Sequence, residues 1–61
     1  MDRIYEGFGI EIFADGEKRY LKYDAGHFNI VYKTIEISLE DALIAQQSEK
    51  DAYNIIVKYK K

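Results

Sequence analysis

At 61 residues the chain has room for one domain, and none for a catalytic core with a separate substrate domain. It has no cysteine and a single histidine, His27, which excludes disulfides, thiolate metal sites and any site built from several histidine ligands. Hydrophobic residues at 48% and charged residues at 33% fit a folded chain, and a net charge of −2 argues against electrostatically driven binding of nucleic acid.

The first residues, Met1 to Glu6, lack a basic stretch followed by an apolar run, so no secretory leader is expected. No stretch reaches the ~20 apolar residues of a membrane helix, and the absence of cysteine suits a reducing compartment. The expected location is the cytoplasm, with no membrane partner. Ile4 to Phe13 alternates in side-chain character. Ile4, Phe8, Ile10 and Ile12 fall on one face, with Glu6 the exception, and Tyr5, Gly7, Gly9, Glu11 and Phe13 on the other, as in a strand. Asp15-Gly16 is a strong hairpin signal and separates this strand from a second one at Lys18 to Tyr23.

A further turn is expected at Asp24 to His27, followed by a third strand over Phe28 to Ile37, which is rich in β-branched and aromatic residues. Ser38 with Asp41 three residues on resembles a capping box, with Ile37 placed as a staple, and Leu39, Ala42, Leu43 and Gln46 make a helical stripe ending near Gln47 to Lys50. Tyr53 to Lys60 reads two ways. Ser48 and Asp51 would cap a helix, but Tyr53, Ile55, Val57 and Tyr59 alternate with Asn54, Ile56, Lys58 and Lys60, and period two with β-branching favours a strand. The expected fold is α+β over residues 1–61 as a single small domain, in the order β-β-β-α-β, an antiparallel sheet with one helix on one face.

A chain this short buries only about 60% of the surface its unfolded form exposes. With disulfides and thiolate or multi-histidine metal sites excluded, self-association is the expected means of support, most simply as a two-fold homodimer. The sheet face away from the helix would then be wet or paired. Six tyrosines are many for this length, and tyrosine favours interfaces because its ring is apolar and its hydroxyl tolerates water. The expected function is a homo-oligomeric protein-binding module acting on a macromolecular target without catalysis. Size class alone places inhibitors, anti-defence proteins and antidotes among such chains. The contact residues expected are Tyr5, Phe13, Tyr20, Tyr32, Tyr53 and Tyr59, because large rings dominate binding hot spots. Glu40 and Asp41 at the helix start could dock a basic partner, or could be only a solvated helix start.

Glu6-Gly7-Phe8-Gly9-Ile10-Glu11-Ile12-Phe13 carries a Gly-Phe-Gly core and a terminal aromatic. In these positions it resembles the strand octapeptide of RNA-recognition motifs and the similar strand of cold-shock domains, whose rings stack on bases. Glu6 stands where that pattern has Lys or Arg, Ile10 where it has an aromatic, and Glu11 where it has an aliphatic residue. The structural alternative is that Gly7 and Gly9 admit a bulge or a close approach.

The alternative function implied is a single-stranded nucleic-acid binder using Phe8, Phe13, Lys18, Tyr20 and Lys22, although these rings are expected on different strand faces. Lys18, Tyr20 and Lys22 share one face, which edge protection also explains, as it explains the tail of Lys58, Lys60 and Lys61. His27 could act as a base beside Asp24, but a turn histidine is usually just exposed. No Gly-rich phosphate loop, nucleophile set or telling carboxylate pair is present, so no catalytic residue, cofactor or metal is assigned.

Overall fold

The structure is a computed structural model, and it describes residues 1–26 and 28–60. The readings of His27 and Lys61 lie outside the described residues. Four strands, β1 (Asp2–Gly7), β2 (Ile10–Asp15), β3 (Lys18–Asp24) and β4 (Tyr32–Ile37), precede two helices, α1 (Leu39–Ala45) and α2 (Glu49–Tyr59). The strands form one antiparallel sheet in the order β1-β2-β3-β4. The fold is a small α+β one, but its order is β-β-β-β-α-α, which corrects the expected β-β-β-α-β with a single helix.

Three local causes account for the difference. The expected first strand is a hairpin. Gly7 pairs with Ile10, and Phe8 and Gly9 turn the chain between them with φ of 53° and 74°. Positive φ at both central residues is the geometry whose twist matches a two-stranded ribbon. Gly7 also admits a close approach, because a Cβ there would lie 2.6 Å from the Tyr5 hydroxyl oxygen. The expected third strand is shortened, since Asp24 Oδ1 accepts hydrogen bonds from Gly26 N (2.9 Å) and Val31 N (3.1 Å) and closes a loop ahead of Tyr32.

The last segment is a helix, not a strand. Ala52 and Ile55 are buried and Ile56 and Tyr59 pack beside them, a spacing of three and four residues that the alternation of Tyr53, Ile55, Val57 and Tyr59 obscured. Ser48 caps it, accepting from Asp51 N at 3.1 Å. The hairpin expected at Asp15-Gly16 is present, with Asp15 opposite Lys18. Ser38 caps α1 as expected, accepting from Asp41 N at 3.0 Å.

Both helices cover one face of the sheet. Ile10, Ile12, Leu21, Tyr23 and Ile37 point from the strands into a core that also holds Ala42, Ala45, Ala52 and Ile55. Ile12 and Leu21 are opposite each other and fully buried, and each contributes about 1.5–3 kcal/mol by leaving water. Among the described residues, no helix is long and apolar enough to cross a membrane.

Candidate functional site

Because side chains alternate along a strand, everything between the core residues points to the other side of the sheet, which no helix covers. The register arranges these residues in rows. One row runs Arg3, Phe13, Tyr20, Glu36 across the four strands. The next runs Glu6, Glu11, Lys22, Thr34. Asp15 and Lys18 pair beyond the first row, and Asp24 and Tyr32 beyond the second. A bulge between Arg3 and Tyr5 adds Ile4 to the β1 edge, where it is 49% exposed.

The open face has an aromatic centre and an ordered charge pattern. Phe13 and Tyr20 are half-buried and directly opposite, and Tyr32 is 60% exposed. On this side β2 presents acid, aromatic, acid (Glu11, Phe13, Asp15), while β3 presents base, aromatic, base (Lys18, Tyr20, Lys22). Arg3 donates to Glu11 Oε2 at 3.2 Å and lies 3.6 Å from Glu6 Oε1. Lys22 Nζ sits 4.7 Å from the centre of the Tyr32 ring, a cation–π contact. Near Tyr32 the face hollows into a pocket of about 330 Å³ bordered by Glu6, Glu11, Lys22 and Tyr32.

A second concavity lies on the helix side. Phe8, on the β1–β2 turn, faces α2 across a cleft of about 490 Å³ lined by Ile10, Tyr23, Tyr53 and Ile56, with Asp24, Glu49 and Lys50 also bordering it. Phe8 and Gly9 of the turn and the 64% exposed Tyr53 border it.

The expected contact residues divide among three places. Phe13, Tyr20 and Tyr32 come together on the open face. Tyr53 belongs to the cleft, and Tyr5 lies on the helix-facing side, packed against the core. Tyr59 and Asp41 are used internally. Asp41 is 4% exposed, and its Oδ2 accepts from Tyr59 Oη at 2.6 Å and from Lys58 Nζ at 2.9 Å. These two donors, Tyr59 first, hold the Asp41 carboxyl below its ordinary pKa, and the same contact raises Lys58. Of the acidic pair expected to dock a partner, only Glu40 remains on the surface.

Of the residues considered for nucleic acid, Phe13, Lys18, Tyr20 and Lys22 share the open face, whereas Phe8 lies at the cleft on the helix side, so the rings divide between the two sides of the sheet as expected. Sequence reasoning missed the Phe13–Tyr20 pair. A two-residue turn at Gly16-Glu17 sets Asp15 opposite Lys18, and counting back two residues on each strand sets Phe13 opposite Tyr20.

Among the described residues, no group of acidic side chains is arranged to hold a metal ion. No protein family model, curated protein or solved structure matches the chain.

Proposed function

We propose that the chain is a protein-binding module, acting without catalysis, whose working surface is the open face of its sheet. The observation that carries this reading is the Phe13–Tyr20 pair, central on a face left uncovered by its own helices and bordered by charges of both signs. A paired aromatic centre within a polar rim is the anatomy of a binding hot spot. Lack of cysteine favours a reducing compartment such as the cytoplasm for this work.

The test places a photo-crosslinking side chain at Thr34, on the open face, and in a control at Asn54, on the exposed side of α2. Irradiation in the source cells is expected to give protein adducts from position 34 in excess of position 54. The excess should vanish when Phe13→Ala and Tyr20→Ala are added. Equal labelling from both positions, or none from 34, removes the reading.

A second reading, the single-stranded nucleic-acid binder, is favoured by the gathering of Phe13, Tyr20, Lys18 and Lys22 on one face. Glu6, Glu11, Asp15 and Glu36 on the same face oppose a phosphate backbone. Quenching of tyrosine fluorescence by short oligonucleotides at low salt would support it, and unchanged fluorescence there removes it.

A further inference from the structure

We infer that the open face binds a second copy of this chain, face to face, about a two-fold axis parallel to the strands and running between β2 and β3. The inference rests on the reading of the open face as the working surface and names its partner.

The argument is one of charge matching under symmetry. In a two-fold contact, if one residue meets another, the reverse contact also forms. Rotation about an axis parallel to the strands lays β2 over β3 of the second copy and β1 over its β4, and keeps each row level with itself. Phe13 then meets Tyr20 of the second copy, and Arg3 meets its Glu36. Glu11 meets the second copy's Lys22, Asp15 its Lys18, and Glu6 its neutral Thr34. Every charge in these rows faces an opposite charge or a neutral group, and every match occurs twice.

The competing two-fold, perpendicular to the strands through the first row, lays each strand over itself. It brings Glu11 onto Asp15, Lys22 onto Lys18 and Arg3 onto Arg3, all like charges. A partner of one sign would meet repulsion over either β2 or β3. A partner with alternating acidic and basic strands fits, and this chain carries that pattern itself. Among the described residues, the ion pairs are Arg3–Glu6, Arg3–Glu11 and Lys58–Asp41, so Lys18, Lys22, Asp15 and Glu36 form no ion pair within the chain, and Lys22 makes only its cation–π contact with Tyr32. Aligned sheets pack at about 30°, which moves the outer strands most and leaves the β2–β3 rows, nearest the axis, in reach.

Area sets the expected strength. Strand spacing of about 4.8 Å and a rise of about 3.4 Å give a face of roughly 20 by 20 Å. Two such faces fall toward the small end of specific interfaces, below about 1,200 Å², where contacts are weak and exchange. The dimer is therefore expected to be concentration-dependent.

The test is a pair of charge reversals, Glu11→Lys and Lys22→Glu, followed by sedimentation equilibrium and native mass spectrometry. Each variant alone places like charges across the axis and should self-associate about tenfold more weakly than the parent chain. Mixed in equal amounts, the two should recover parent-like affinity as a one-to-one heterodimer, which an effect inside one chain cannot produce. Glu11 also accepts from Arg3 at 3.2 Å, so Arg3→Glu with Glu36→Arg serves as a second pair if circular dichroism shows that Glu11→Lys is unfolded.

A mixture that assembles no better than its separate components overturns the two-fold arrangement. A parent chain monomeric up to about 1 mM overturns self-association itself. Either failure, accompanied by adducts from position 34 to a different protein, leaves the broader reading of the open face standing. Absence of adducts from position 34 removes that broader reading as well.

Discussion

Tyr59 donates its hydroxyl proton to Asp41 Oδ2 at 2.6 Å, and this contact ties the end of α2 to the start of α1. The Tyr59 oxygen in turn accepts from Ser38 N at 3.2 Å, and Ser38 Oγ caps the Asp41 amide. One closed circuit therefore serves the α1 N-terminus, a buried carboxylate and the last turn of the second helix. Lys58 completes it from a largely exposed position, with 61% of its side chain accessible against 6% for Asp41. The tyrosine, half-buried against the core, is the less exposed donor of the two, and solvent screens the lysine.

Tyr59→Phe is expected to lower stability by about 1–3 kcal/mol, because it strips one donor from a buried carboxylate and leaves the Ser38 amide without that acceptor. Urea unfolding followed by circular dichroism measures this. A midpoint equal to that of the parent chain would show that Tyr59 contributes packing alone.

The same circuit predicts an acid limb in stability. Asp41 is held below its ordinary pKa by Tyr59 first and Lys58 second, and Asp24 is held down by the amides of Gly26 and Val31. A carboxylate depressed in the folded state contributes stability that is fully present above its unfolded pKa, about 3.9, and is lost as pH falls through the folded value. Lys58 is raised, so its contribution is present below its unfolded pKa and disappears only as pH rises through the folded one. Stability is therefore expected to hold from mildly acidic to mildly alkaline pH and to fall below about pH 4. Asp41→Asn should flatten the acid limb when urea midpoints are compared across that range, and an unchanged limb would place its origin elsewhere.

Where local chemistry and tertiary packing agree, the fold was legible. Ser38 with Asp41 and Ser48 with Asp51 both read as helix starts, and both serines cap as that pattern requires. The second was outweighed by the alternation of Tyr53, Ile55, Val57 and Tyr59. Ala52 decides the matter physically, since only a helix brings it onto one face with Ile55, Ile56 and Tyr59.

The Gly7-Phe8-Gly9 turn was hidden for a different reason. A bulky residue at positive φ is disfavoured, so Phe8 reads as strand, and the alternating run continues on either side of it. The open face depends on register, which the Gly16-Glu17 turn sets for β2 and β3. The registers of β1 and β4 needed the β1–β2 turn and the loop closed by Asp24 as well.

Phe8→Asn is expected to stabilise the chain by about 0.5–1 kcal/mol. Phe8 holds φ at 53° in a two-residue turn where asparagine before glycine is preferred. The loss to set against this is a tilted ring contact with Tyr5, whose centroid lies 6.1 Å away, and Phe8 is already 42% exposed. A rise in the urea midpoint would show that the turn carries strain in return for placing a ring beside the cleft. A fall would show that the Phe8–Tyr5 contact outweighs the backbone.

Gly26→Ala tests the loop that carries the chain from β3 to β4. A Cβ at this position would overlap the Asn29 carbonyl oxygen, a backbone atom that cannot swing aside as a side chain does. The loop would have to open, and the amides of Gly26 and Val31 would leave Asp24 Oδ1, as would the Ala25 amide its 2.7 Å bond to the Val31 carbonyl. A loss of about 2 kcal/mol or more is expected, as for other changes that break a hydrogen-bonded backbone arrangement. Gly16→Ala is the control. Its φ is +63° and no atom crowds the new Cβ, so its cost should be only the left-handed backbone term of about 1–2 kcal/mol. The two are separated by following Asp24 itself: carboxyl titration by NMR should return Asp24 toward its ordinary pKa in Gly26→Ala and leave it depressed in Gly16→Ala. Equal depression in both variants would mean that the loop accommodates the methyl group without releasing Asp24.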